Sequence, residues 1–211
     1  MIIAVDGPAA SGKGTIARAL AVHYGLPHLD TGLLYRAVAL TLKRAEGDPE
    51  SESDAEAATR FPDSLLGDPE LRSEATGALA SRVSAYPSVR AALLERQREF
   101  AARPAGAVLD GRYIGTVIAP HADAKLYVVA SARVRAERRA AEMAGRGLVA
   151  DVDAIEADIA ARDARDSGRS NAPLTRAADA DLLDTSLLSI EQAIQRAIAL
   201  VDAGMERHRT G

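Results

Sequence analysis

The segment best suited to chemistry is Gly7-Pro8-Ala9-Ala10-Ser11-Gly12-Lys13-Gly14-Thr15. Glycine, four residues, then glycine and lysine is the spacing of a phosphate-binding loop (P-loop). Its glycines let the backbone turn sharply and aim amide hydrogens at phosphate oxygens. A helix starting near Lys13 adds its positive N-terminal end, and Lys13 has the reach for β- and γ-phosphates. The common motif puts Ser or Thr directly after the lysine, as a magnesium ligand. Here Gly14 comes first and Thr15 second. Magnesium is therefore expected to be held through water, which suits an ion that gives up its waters reluctantly. Asp110 is the supporting carboxylate, with Asp6 as the other candidate. The chemistry is ATP-dependent phosphoryl transfer.

A second set of residues suits a phosphorylated partner of ATP. Arg36 follows Asp30-Thr31-Gly32-Leu33-Leu34-Tyr35, Arg90 follows Pro87, and Arg112 follows Asp110-Gly111. Arg162, Asp166 and Arg169 are spaced to share one helix face, and Arg135, Arg138 and Arg139 another. Guanidinium groups match phosphate because their fork is planar and always charged. The chain has only three lysines, Lys13, Lys43 and Lys125. Retention of lysine at position 13, in a chain that otherwise uses arginine, marks that site. The four histidines, His23, His28, His121 and His208, form no ligand-like spacing and are assigned no role.

These residues need a scaffold. Short apolar runs at Ile2–Val5, Pro27–Leu29, Ala107–Leu109, Lys125–Ala130 and Asp181–Leu183 read as buried parallel strands, with helical patterns between them. That alternation predicts an α/β fold with a parallel sheet. Ile16, Ala17, Leu20, Ala21 and Tyr24 form an apolar face after the loop, and Gly25 offers a stop. Ser189 with Gln192 is a capping box, opening a final helix with an apolar stripe from Ile190 to Val201. Residues beyond Gly204 are polar and expected to fray. Open α/β sheets bind ligands beyond the carboxyl ends of their strands, where Asp110 falls. Two helical regions interrupt the pattern, 31–103, with an acidic stretch at Glu46–Glu56, and 132–176, which is arginine-rich; Pro87 separates two helices in the first.

The 211 residues suit one domain with insertions, 47% of them hydrophobic and 27% charged. A net charge of −4 gives no general affinity for nucleic acid or anionic membrane. The absence of cysteine excludes disulfides, thiolate ligands and a cysteine nucleophile. No run is long enough to span a bilayer, and a cytoplasmic protein is expected.

The combination of DGPAASGKGT, LDTGLLYRAVAL, LRSEATGALASRVSAYPSVRAALLERQREF, LDGRYIGTVIAP, RDARDSGRSNAPL and LLDTSLLSIEQAI closely resembles the bacterial cytidylate kinases, over nearly the whole chain. The resemblance implies a three-layer P-loop fold with a five-stranded parallel sheet. It also implies a monophosphate-binding insertion at 31–103 and a lid at 132–176. It implies transfer of the ATP γ-phosphoryl group to CMP or dCMP, with Mg2+, by a monomer that takes small-molecule substrates. By motif position, Thr31, Arg36, Ser81, Arg90, Arg112, Tyr113, Arg162, Asp166 and Arg169 fall at the monophosphate site. Ser81 and Arg90 meet the cytosine edge. Arg36, Arg112, Arg162 and Arg169 lie near the phosphate, and Asp166 on the sugar hydroxyl. Arg135 falls on ATP, and Arg138 and Arg139 join Lys13 in catalysis.

Two departures stand out. The insertion is short, with only about Phe61–Pro69 where many relatives carry extra strands. The family usually reads GRDIGT, and this chain reads Gly111-Arg112-Tyr113-Ile114-Gly115-Thr116. The usual aspartate accepts a hydrogen bond from the cytosine amino group. A tyrosine hydroxyl can also accept one, but it is neutral and bulkier. A monophosphate oxygen is already anionic at neutral pH, so no general base is needed. Two other readings remain at this point. One is a kinase for UMP or a metabolite hydroxyl, with Asp30 or Asp110 as base; the other is a nucleotide-dependent switch.

Overall fold

The computed structural model describes residues 1–145, 147–169 and 172–210. Ser170 and Asn171, in one of the motif segments, and the His208 side chain lie outside the described residues. The chain divides into two compact units, Met1–Leu29 with Ala101–Gly211, and Asp30–Phe100.

The first unit is built on a sheet of five strands: β1 (Ile2–Asp6), β2 (His28–Asp30), β3 (Ala107–Gly111), β4 (Ala124–Val129) and β5 (Asp181–Asp184). Their order across the sheet is β2-β3-β1-β4-β5. β1 pairs parallel with β3 and with β4, and β4 pairs parallel with β5. The register sets Val5 against Asp110 and Asp6 against both Gly111 and Tyr127, so β1 and β3 end level at their carboxyl ends while β4 runs on to Val129. Residues 2–6 and 107–111 are apolar on both faces up to their last residues, the pattern expected of doubly covered parallel strands.

Helix α1 (Lys13–Tyr24) carries the expected stripe: Ile16, Ala17, Leu20 and Ala21 are buried, and the helix ends at Gly25. They pack with Ile3, Val5, Val108, Leu126 and Val128 of the sheet and with Ala193, Ala197 and Val201 of the last helix. Truncating a fully buried residue such as Leu20 to alanine costs about 2–5 kcal/mol. That last helix, designated α8 below, opens with the capping box: Ser189 N–H donates to Gln192 Oε1 at 2.9 Å and Gln192 N–H to Ser189 Oγ at 3.2 Å. The expected fraying beyond Gly204 does not occur, because the helix runs from Ile190 to Thr210. A Cβ on Gly204 would lie 3.4 Å from Ala124 Cβ. Gly204 thus faces β4 from within the helix, and Arg207 ties the following turn to Asp181 at 2.5 Å.

The second unit is helical throughout, as its sequence pattern predicts. It contains α2 (Thr31–Arg44), α3 (Glu52–Ala57), two short 3-10 turns (Asp63–Gly67 and Pro69–Arg72), α4 (Glu74–Val83) and α5 (Pro87–Ala101). Ser51 and Ser73 cap α3 and α4 through their hydroxyls, and Pro87 occupies the first position of α5, where its missing N–H costs nothing. Leu34, Val38, Leu42, Leu71, Val83 and Leu93 are all at most 2% exposed and form its core. Arg44 joins α2 to the turn region through Asp68 at 2.8 Å and Glu70 at 2.9 Å.

Two helices, α6 (Ala132–Ala144) and α7 (Val152–Ser167), complete the first unit and pack on each other, while α8 (Ile190–Thr210) packs on β4. No described helix is long and apolar enough to cross a membrane.

Candidate active site

The loop between β1 and α1 has the geometry of a phosphate cradle. Gly7 N–H donates to Gly111 O at 3.2 Å, joining the loop to the end of β3. A Cβ on Gly7 would fall 2.1 Å from the Val128 carbonyl oxygen, so only glycine fits there. Ala10 has φ 59° and Gly12 φ 87°, and that second left-handed turn aims the chain into α1. Gly12 offers no side-chain cap to the helix, so the helix N-terminus keeps its affinity for an anion. The Ser11 hydroxyl is fully buried with no hydrogen-bond partner. An orphaned hydroxyl in a loop of left-handed turns, ahead of an uncapped helix, fits a triphosphate ligand. Lys13 Nζ lies 3.4 Å from Pro8 O, folded back along the loop. Thr15 is exposed on α1, and Gly14 lies between it and the lysine.

Asp110 is 3% exposed at the end of β3, and its Oδ2 lies 3.7 Å from where a Cβ on Gly14 would be. The start of α1 at position 14 thus lies directly beside the carboxylate, at a distance where a Cβ would make ordinary contact. His28 Nε2 meets Asp110 Oδ1 at 2.8 Å. The spacing of the histidines gives no sign of this pairing: β2 lies next to β3, which brings the two residues together. The only local signal was a polar ring at a strand end.

Asp6 differs from Asp110. Its Oδ1 accepts the Ile114 N–H and its Oδ2 the Gly115 N–H, both at 2.8 Å. Burial pushes its carboxyl up to about 6, against the lowering effect of those two amides and of Lys13. With both oxygens engaged by the backbone, Asp6 anchors the turn after Tyr113 and is the poorer of the two magnesium candidates. Among the described residues no group of three or more His, Cys, Asp or Glu side chains could hold a metal ion. An ion here would draw on phosphate oxygens and water, as magnesium commonly does.

The arginines sort into distinct environments. Arg112 donates through Nε to Asp166 Oδ2, and Arg169 Nη2 meets Asp166 Oδ1 at 2.7 Å. Asp166 is 1% exposed. Burial works to raise its pKa, but the charges of Arg112 and Arg169, the hydrogen bond from Arg112 and the charge of Arg162 hold it below the usual aspartate range. One expectation is corrected in detail: α7 ends at Ser167, so Arg169 lies beyond its Gly168 cap and not on the helix face with Arg162 and Asp166. The turn after the helix still delivers it to the carboxylate.

Arg135 is 5% exposed and serves as a brace. Its guanidinium donates to Ala130 O at 2.9 Å, to Ala9 O of the loop at 3.2 Å, and to Asp163 of α7 at 2.6 Å. Arg138 donates to the Thr185 hydroxyl at 3.0 Å and to the Thr185 carbonyl at 2.7 Å. Arg139 follows it on α6, half-buried. Tyr113 is 5% exposed, and its carbonyl accepts the N–H groups of Val117 and Ile118 in a π-helical turn, Ile114–Ile118.

The remaining site candidates belong to the second unit. Thr31 is buried at the start of α2. Arg36 Nη1 donates to Leu71 O at 2.6 Å and to Ser73 O at 3.1 Å, which fixes it across the start of α4. Ser81 is half-buried on α4, and its carbonyl accepts the Ser84 hydroxyl at 3.1 Å. Arg90 is 6% exposed on α5.

Comparison with known proteins gives a consistent result. The family model for cytidylate kinase matches residues 3–203. The chain is 57% identical to a cytidylate kinase of Rhodopseudomonas palustris (strain HaA2) over 204 residues, 96% of each chain. It is 56% identical to one from Caulobacter vibrioides (strain NA1000 / CB15N) over 209 residues, 99% of this chain and 98% of that one. A crystal structure of an uncharacterized protein from Eubacterium ventriosum ATCC 27560 superposes with a TM-score of 0.56 at 14% identity, covering 96% and 99% of the two chains, and shows likeness of fold alone. A match of this extent, on a chain whose phosphate cradle is intact, means that the protein belongs to the cytidylate kinase family.

Proposed function

We propose that this chain reversibly transfers the γ-phosphoryl group of ATP to CMP or dCMP, giving ADP and CDP or dCDP. The observation that carries the reading is the family match over residues 3–203 of a chain whose loop, Gly7–Thr15, has the turns and the open helix end a triphosphate requires.

The attacking group is an oxygen of the monophosphate, so catalysis rests on positioning and charge. The loop amides and Lys13 bind the β- and γ-phosphates. Arg112 and Arg169, gathered by Asp166, and the nearby Arg162 face the acceptor phosphate. Thr31, Arg36, Ser81, Arg90 and Tyr113 complete the acceptor site from motif position. Arg138 and Arg139 offset charge on the moving group, and Arg135 holds the loop by its Ala9 carbonyl. Asp110 is the residue we assign to hold magnesium through water, and the ion would supply positive charge to offset that of the phosphates. The segments 31–103 and 132–176 act as monophosphate-binding and lid regions whose closure excludes water. We further infer a cytoplasmic monomer acting on small molecules and on neither nucleic acid nor membrane; the net charge of −4 supports the last part of that reading.

The test is an ADP-release assay with CMP, dCMP, UMP and AMP as acceptors. CMP and dCMP are expected to support turnover well above UMP and AMP. ADP release that needs no monophosphate would point to an ATPase or switch and sink the reading. The same assay on Tyr113→Asp reads base selection directly. A rise in the CMP-to-UMP ratio would make Tyr113 a change of specificity.

A further inference from the structure

Thr185 directly follows β5 and is 2% exposed. Its N–H donates to Val129 O at 2.9 Å, extending the β4–β5 pairing by one residue. Its hydroxyl has two carbonyls in reach, Ser11 O at 3.0 Å and Val129 O at 3.1 Å. The hydroxyl proton is within reach of both, and Ser11 O is the nearer acceptor. The same hydroxyl oxygen accepts Arg138 Nη1 at 3.0 Å, and the Thr185 carbonyl accepts Arg138 Nη2 at 2.7 Å.

One residue therefore takes both amino groups of a guanidinium and passes a donor on to the phosphate loop. A cation that donates to a hydroxyl strengthens that hydroxyl as a donor in turn. The consequence for the loop follows from peptide geometry. In a planar trans peptide the N–H points opposite to the C=O. With the Ser11 carbonyl turned toward Thr185, the Gly12 N–H is directed to the far side, away from Thr185. Arg138 Nη1 meanwhile lies 3.9 Å from where a Cβ on Gly12 would be.

We infer that Thr185 is a positioning residue of the ATP site, which sets the Ser11–Gly12 peptide and Arg138 in place together. The inference rests on the phosphoryl-transfer reading above, and it extends that reading to a residue outside the loop and outside the arginine groups.

The variants are Thr185→Val, which keeps the shape and removes the hydroxyl, and Thr185→Ser, which keeps the hydroxyl. Thr185→Ala removes the hydroxyl without setting a methyl against the Ser11 carbonyl, and stands in if the valine variant does not fold. Two readouts are taken on the full chain: KM for ATP and for CMP in the ADP-release assay, and calorimetric binding of a non-hydrolysable ATP analogue without CMP. Loss of the hydroxyl is expected to weaken analogue binding and raise KM for ATP about tenfold, with KM for CMP unchanged. Thr185→Ser is expected to recover binding to within about threefold. Arg138→Ala combined with Thr185→Val should cost less than the sum of the single changes, since both break one chain of hydrogen bonds. Wild-type binding in Thr185→Val and Thr185→Ala, equal loss in the serine variant, or additive costs would overturn the inference. If the wild-type chain binds the analogue but turns over no monophosphate, the proposed function fails while the binding series still decides the role of Thr185.

Discussion

Replacing Asp166 by asparagine tests how the arginine cluster is held. Asp166 is 1% exposed and pairs with Arg112 and Arg169. The charges of Arg112 and Arg169 outweigh its burial, with help from the Arg112 hydrogen bond and Arg162, so it stays ionised below the ordinary aspartate range. The variant keeps the shape but removes the charge. It leaves partly buried guanidinium groups facing one another, with an amide N–H pointed at further donors. Removing one side of a buried ion pair costs about 3–5 kcal/mol. In a chain of this length each kcal/mol is about 2–4 °C of Tm, so a fall of about 6–20 °C is expected by scanning calorimetry at pH 7. The pH dependence has a definite sign. A depressed folded pKa contributes stability that is complete above the unfolded value and is lost as pH falls through the folded one. The advantage of the wild type over Asp166→Asn should therefore be flat from about pH 5 to 8 and close only below about pH 4. A variant that melts within about 2 °C of the wild type, or an advantage already gone at about pH 6, would refute the reasoning. It would mean that water screens the three guanidinium groups and that the carboxylate does not gather them.

Three further outcomes are expected. Lys13→Ala should lower kcat by about 10²–10³ while Tm stays within about 2 °C, measured by ADP release and calorimetry; near-normal turnover would remove Lys13 from the mechanism. Gly7→Ala sets a methyl 2.1 Å from the Val128 carbonyl, and should lose about 2–3 kcal/mol in urea unfolding together with ATP-analogue binding; unchanged binding would mean the loop has another way to turn. Asp6 has a folded pKa raised to about 6 from 3.8, so its stability contribution is present below the unfolded value and lost as pH rises through the folded one. Wild type should therefore lose about 3 kcal/mol relative to Asp6→Asn between about pH 4 and 7.5 in urea unfolding; a gap that stays constant with pH would contradict a buried, proton-binding Asp6.

Much of the scaffold was legible in the chain. All five strands lie where the apolar runs indicated, and the Ser189–Gln192 capping box and the break at Pro87 appear as read. The errors came where a local signal met a distant partner. Gly204 resembles a helix stop, yet it is the point where α8 approaches Ala124. Arg169 has the spacing of a helix face, yet α7 ends before it and the Asp166 carboxylate draws it back. His28 looked idle because its partner, Asp110, is 82 residues away.

What the amino-acid sequence determined by itself was the chemistry of the loop and the alternation of the fold. Glycine spacing, the helix start at Lys13 and the periods of strand and helix are set by neighbouring residues, through backbone dihedrals and local hydrogen bonds. What only the tertiary structure decided was the company each functional side chain keeps. Sheet order is β2-β3-β1-β4-β5, and strand alternation does not specify it. That order sets His28 on Asp110, and it brings Thr185 at the end of β5 to the Ser11 carbonyl, 174 residues away. It also separates the arginines into kinds their sequence did not distinguish: Arg135 buried as a brace on Ala9 and Asp163, Arg138 held by Thr185, and Arg112 and Arg169 gathered by one carboxylate. A guanidinium has the same charge and reach in every case, and burial with specific partners determines what it does.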